Sequence, residues 1–229
     1  MAKIMYGPMI GAASGGVGNC VFTRNRYGGV LRIGVIPTRR VTQYTVAARE
    51  KLTAMSKAWG ALDEASRASW ATWAQNNPIV DRLGAKQVLA GNAAFIQANV
   101  MILLAGGSPI ETPVIQAAPA PISGLTLTAT DPSTVSLAWT SGALEAKEHL
   151  FVWVAIVTSK GREYYRNLLK LAYVGAAAGT TPAAIGTQVN SRFGYVKAGS
   201  LIYVHAQVVN EESGLVSGIS MASTVVVAP

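Results

Sequence analysis

The chain has 229 residues, enough for one large domain or two small ones, and half of them are apolar, so a sizeable core can be buried. Only 13% are charged, about half the usual share of roughly 25%, which fits either an Ala/Gly-rich domain with a neutral polar surface or a subunit that hides surface in an assembly. The net charge of +8 sits entirely in residues 1–60, which carry nine bases and one acid, while the remainder balances ten bases against ten acids; a lone Cys20 excludes an intrachain disulfide framework.

Residues 1–41 are rich in Gly, Arg and β-branched side chains. Met1–Ile4 is not followed by an unbroken apolar run, so no secretory signal is expected. Asn19–Thr23 and Gly29–Val35 are expected as two short strands, with Tyr27, Gly28 and Gly29 supplying the turn. The result is a basic β-arm whose arginines are spaced for strands rather than for a disordered tail. An isolated hairpin is marginal in water, so this one must pack on helices or pair with another subunit. Arg24, Arg26, Tyr27, Arg32, Arg39 and Arg40 are the candidate partner-binding residues. Such an arm seeks an acidic partner: a protein face, nucleic acid or a lipid surface.

Residues 42–106 are expected to form a three-helix unit. Ala48, Leu52, Met55, Trp59 and Leu62 recur at helical spacing and share one face. Asp63 is placed to cap the second helix, with Glu64 in its first turn. That helix carries Trp70 and Trp73 and ends before Asn76-Asn77-Pro78. The third helix, roughly 88–104, stops at Gly106-Gly107. It is the most apolar stretch, yet it holds Asn92, Gln97 and Asn99 and is shorter than the ~20 residues that span a bilayer. It is therefore expected to be a buried helix, and no membrane partner is expected. Trp59, Trp70 and Trp73 are expected to be the core of this unit.

Residues 107–121 contain Pro109, Pro113, Pro119 and Pro121, which block helix and central strand alike, so an extended linker is expected. Residues 122–229 then alternate with period two. Ser133–Thr140 places Val135, Leu137 and Trp139 on one face; Leu150–Thr158 suits a central strand; Leu201–Asn210 alternates again; Glu211–Gly214 turns; and Leu215–Val227 returns. About seven strands with turns between them point to a β-sandwich. The fold class expected is α+β: a basic β-arm, a small helical unit and a C-terminal sandwich.

Chemical motifs are sparse. Ser14–Cys20 resembles the glycine-rich ATP loop of partitioning ATPases but has Ser14 and Asn19 where lysines are needed and Cys20 in place of the hydroxyl residue. His149 and His205 lie far apart with no neighbour at a metal-ligand spacing. Glu145 with Glu148, and Glu211 with Glu212, read as solvated turn charges, and no serine sits in a nucleophile elbow. No catalytic residue, metal or cofactor is expected.

Two resemblances add to this reading. Val135-x-Leu137-x-Trp139 and Tyr203-x-His205-x-Gln207-x-Val209-Asn210, followed by Gly214, resemble a fibronectin type III domain, in which Trp139 and Tyr203 would both pack in the core. Gly11-x-x-Ser14-Gly15-x-x-Gly18-Asn19-x-Val21-Phe22, then Arg24–Gly28, Pro37, and the helical series Gln43, Arg49, Leu52, Ser56, Trp59, Arg67 and Trp70, resemble uncharacterised proteins encoded in phage and prophage structural regions. Gly16 and Ala65 stand where a Lys and a Gln would be expected. The second resemblance implies a virion component without assigning its place in the particle; together with the absent active site it leads to the expectation of a non-enzymatic structural protein, assembled in the host bacterial cytoplasm and contacting capsid or tail proteins as part of a homo-oligomer. Capsid decoration or cementing is the expected role, with a tail or fibre-attachment component as the alternative and nucleic-acid contact as a second one.

Overall fold

The computed structural model describes residues 2–4, 13–26, 28–34, 42–80, 84–130, 134–158, 162 and 164–228. The chain falls into two compact units: Met1–Arg49 with Pro78–Val88, and Glu50–Asn77 with Leu89–Pro229.

In the first unit the expected hairpin is part of a larger sheet. Strands β1 (Ala2–Ile4), β2 (Gly15–Val17), β3 (Cys20–Asn25) and β4 (Gly28–Ile33) form an antiparallel sheet in the order β1-β4-β3-β2. The hairpin thus gains a neighbour on each side, which answers the instability of two strands alone. The stretch that resembled a nucleotide loop is a second hairpin: β2 and β3 pair through Gly18-Asn19, where Gly18 has φ +56°. The first unit also contains the start of α1 (Gln43–Ala61) and, beyond α2 (Glu64–Asn76), the two-stranded β5 (Ile79–Val80) and β6 (Lys86–Gln87).

The second unit joins helices and sandwich. Met55 of α1, Trp70 and Ala74 of α2, and Ala94, Phe95 and Ala98 of α3 (Gly91–Ala105) form one core cluster, with Trp59, Leu62 and Trp73 packed against it. Phe95 meets Trp59 at 5.5 Å and, edge on, Trp70 at 5.4 Å. The expected stripe on α1 holds from Met55 onward; Leu52 and Ala48 are exposed. Asp63 caps α2 by accepting from the Ser66 amide at 3.0 Å, and Gly106 closes α3 in the left-handed conformation, φ +98°. Among the described residues no helix is long and apolar enough to cross a membrane.

Residues 107–121 contain no helix or strand, as the prolines require, but they are tied along the helices. Trp70 Nε1–H donates to the Glu111 carbonyl at 2.7 Å and Trp73 Nε1–H to the Val114 carbonyl at 3.3 Å. Asn99, fully buried, accepts from the Ile110 amide at 2.7 Å and donates from Nδ2 to the carbonyls of Ile110 and Phe95, both at 3.1 Å. This strap satisfies the indole and amide groups that the tryptophan-rich core would otherwise strand without partners.

Seven strands follow among the described residues. β7 (Thr126–Thr130), β8 (Thr134–Ala138) and β11 (Ala183–Ala184) make one antiparallel sheet, ordered β11-β8-β7. β9 (Glu148–Val157), β10 (Lys170–Val174), β12 (Leu201–Asn210) and β13 (Ser220–Val225) make the other, ordered β10-β9-β12-β13. Helix α4 (Gly186–Phe193) adds Val189 to their shared core. Leu127, Val135, Leu137 and Trp139 face Leu150, Val152, Val154, Ile202, Val204, Ala206 and Val208 across that core.

Trp139 is core, but Tyr203 is not. The even-numbered residues of β12 point inward, so period two sends Tyr203, His205 and Gln207 to the opposite face. There Tyr203 stacks on Tyr165 at 3.7 Å and 3°, and His205 Nε2 meets the Tyr165 hydroxyl at 3.1 Å.

A candidate partner-binding surface

Of the six predicted anchor residues, Arg24, Arg26 and Arg32 are described and exposed; Tyr27, Arg39 and Arg40 lie outside the described residues. Arg24 stands on β3 opposite Gly29, and Arg32 on β4 opposite Val21. Directly opposed residues share a face and neighbours along a strand alternate, so Arg24 and Arg32 lie on opposite faces of the sheet. Arg26 is in the turn between β3 and β4. These three arginines therefore lie on both faces and at one end of the sheet.

None of the ion pairs among the described residues involves these three arginines. The face bearing Arg24 also carries Phe22, Leu31, Cys20, Ile33 and Val17. Its last two side chains are left 68% and 71% exposed, whereas Val30, on the other face, is buried. The combination is an apolar, half-exposed strand face next to guanidinium groups that form no ion pair among the described residues. It offers burial to an apolar surface and bidentate donors to a carboxylate or phosphate. Cys20 is a half-buried free thiol among these apolar residues.

The charged residues of the second unit are engaged differently. The expectation of idle, solvated glutamates at 211 and 212 is corrected: Glu211 Oε2 lies 2.9 Å from Nε2 of the buried His149, whose Nδ1 lies 2.9 Å from the Gly175 carbonyl, and Glu212 pairs with Lys147. These partners stand 62 and 65 positions apart in sequence, and only the sheet brings them together. Burial, and secondarily the nearby Arg166 charge, push the His205 pKa below its ordinary value. Hydrogen bonds from Ser66 hold the Asp63 carboxyl below the usual carboxylate range.

No protein-family description matches the sequence, and no curated protein matches it. Among solved structures the C-terminal half is similar to fibronectin type III domains. FN3tt is 13% identical, covering 49% of this chain and 98% of that one, at a TM-score of 0.32. A fibronectin type III domain of human collagen alpha-1(XX) is 13% identical, covering 51% and 92%, at 0.33; another structure of a domain from human collagen XX is 19% identical, covering 49% and 98%, at 0.29. The three-plus-four sandwich itself rests on the strand registers described above.

Proposed function

We propose that this chain is a non-enzymatic structural subunit of a bacteriophage particle, attached to a capsid or tail protein through the basic sheet β1–β4. The observation that carries the attachment is the exposed set Arg24, Arg26 and Arg32, in no ion pair among the described residues, beside a half-exposed apolar strand face. Groups of that kind recover their desolvation cost only against a complementary partner. The assignment to a virion rests on the ordered sequence resemblance of residues 7–107 to proteins of phage structural regions. Decoration of the capsid is the role proposed first, and a tail or fibre-attachment role differs from it in copy number. Quantitative mass spectrometry of purified virions tests both: hundreds of copies per particle support decoration, a few dozen or fewer support a tail or vertex component, and absence from virions refutes the proposal.

Nucleic-acid contact would use the same arginines and is separated by salt. A phosphate binder loses affinity linearly in log salt, by about 0.9 per neutralised phosphate on duplex DNA. An attachment that also buries Phe22, Leu31 and Ile33 tolerates moderate salt. The triple variant R24E/R26E/R32E is expected to lose particle association while keeping its fold. DNA affinity of wild type is expected in the non-specific range of roughly 10⁻⁴–10⁻⁶ M at physiological salt. Nanomolar DNA binding, abolished by the triple variant while particle association persists, would instead make genome contact the arm's task.

A further inference from the structure

Along α2, Ser69, Thr72, Trp73 and Asn76 recur at steps of three, one and three, which places them on one face of the helix. The 107–121 strap runs past that face, and the two enclose an open groove of about 370 Å³. Thr112, Ile115 and Gln116 form its strap-side wall, and Ile115 is 92% exposed. No charged side chain lines the groove among the described residues.

The Trp73 indole and the Asn77 and Gln116 amides in it are held in place. Trp73 is fixed by its Nε1–H bond to Val114 and by edge contact with Trp70 at 5.4 Å. Asn77, at the end of α2, donates Nδ2–H to the Trp73 carbonyl at 2.9 Å, and Gln116 donates Nε2–H to the Ser213 hydroxyl at 2.7 Å. Each bond orients an amide whose side-chain carbonyl oxygen accepts no hydrogen bond from the other described residues. Asn76 and Thr112 are exposed and make no side-chain hydrogen bond with other described residues.

We propose that this groove binds a neutral saccharide. An indole and an exposed isoleucine offer flat apolar surface to the C–H faces of sugar rings. Side-chain amides and hydroxyls offer donors and acceptors together, matching hydroxyl groups that both donate and accept. An anion would find no positive charge here. A purely apolar ligand would strip water from Asn76, Asn77, Thr112 and Gln116 without replacing their bonds. The volume lies at the small end of the range for ligand pockets, roughly 300–1,000 Å³, which is room for a short saccharide segment. The proposal stands on the groove alone and is independent of the virion reading.

A glycan array probed with the full chain and with N76A/T112A tests it. Both positions are exposed, so the melting temperature is expected to be unchanged; I115D, at the exposed rim, supplies a second variant should the first prove unstable. Retention of neutral glycans by wild type is expected, with at least a tenfold weaker signal for the variants. Titrating the strongest neutral glycan into ¹⁵N-labelled protein is expected to shift the Trp73 indole N–H resonance and leave that of Trp139 in place. Retention of no glycan above the variant background, or of acidic glycans alone, overturns the proposal. So does a Trp73 shift produced by an apolar peptide such as acetyl-Leu-Phe-Leu-amide at lower concentration than by any neutral glycan, which would give the groove to a protein segment.

Discussion

Asp63 and His205 show how single titratable groups couple this fold to pH. Asp63 accepts the Ser66 amide that α2 leaves open at its first turn, and its carboxyl is depressed mainly by those Ser66 bonds. A depressed carboxyl stabilises the folded state above its ordinary value of 3.8 and loses that contribution as pH falls through the folded value. D63N, which keeps an accepting oxygen, is expected to hold the helix while flattening the acid limb of the melting-temperature profile; D63A is expected to lower the melting temperature at neutral pH as well. His205 works at higher pH. Its folded pKa lies below 6.5 because burial, then Arg166, disfavours the charged ring. Its contribution is complete above pH 6.5 and declines as pH falls from there toward the folded value, because the unfolded chain takes up the proton first. H205Q, which can still meet the Tyr165 hydroxyl, is expected to remove that decline from a melting profile recorded between pH 7.5 and 5. An unchanged slope would mean that another group titrates there.

At the scale of elements, the sequence is legible where period and burial agree. Val135, Leu137 and Trp139 alternate and are all core, and Asp63 and Gly106 mark helix ends where capping chemistry puts them. Trp139→Ala is expected to cost roughly 3–5 kcal/mol, as other buried large-to-small changes do. Denaturant unfolding measures it, and an unaltered midpoint would contradict the inward face of β8. The fibronectin resemblance implies an inward Tyr203, but register governs direction: its inward neighbours Ile202 and Val204 send it to the opposite face. Two features had no local signal. β1 and β2 are three-residue strands, too short for a period to be read. The strap's bonds to Trp70, Trp73 and Asn99 join residues up to 41 positions apart, so prolines announce an irregular segment without saying what it touches. The basic residues were legible as a set but not as a surface, since the faces of Arg24 and Arg32 follow from pairing across the turn at Arg26.

At the scale of the molecule, the second unit is held together by contacts that cross from helices to sandwich. α3 packs against β12. Phe151 and Val209 lie on the sheet face away from the sandwich core, as the β9–β12 register requires, yet both are fully buried. Gln116 of the strap bonds Ser213 in the turn after β12, and Gly107 lies against the Glu211 carbonyl. The turn comes up against α3 at Gly214, with φ +66°, where an added Cβ would stand 2.3 Å from the Ala98 carbonyl oxygen. A side chain there must push the turn off the helix and strain its own backbone. Gly214→Ala is expected to cost at least about 1–3 kcal/mol, the range for overpacking a filled core, with the positive φ adding to it. The consequence reaches past the turn. Because α2, α3, the strap and the sandwich share this contact set, they are expected to unfold together, with the helical far-ultraviolet ellipticity and the folded Trp139 indole N–H resonance, which reports the sandwich core, lost at one temperature. In Gly214→Ala both signals should move down together by several degrees, since a unit of this size shifts roughly 2–4 °C per kcal/mol. Were the sandwich signal to hold at the wild-type temperature while the helical signal fell, the two would be independently unfolding bodies.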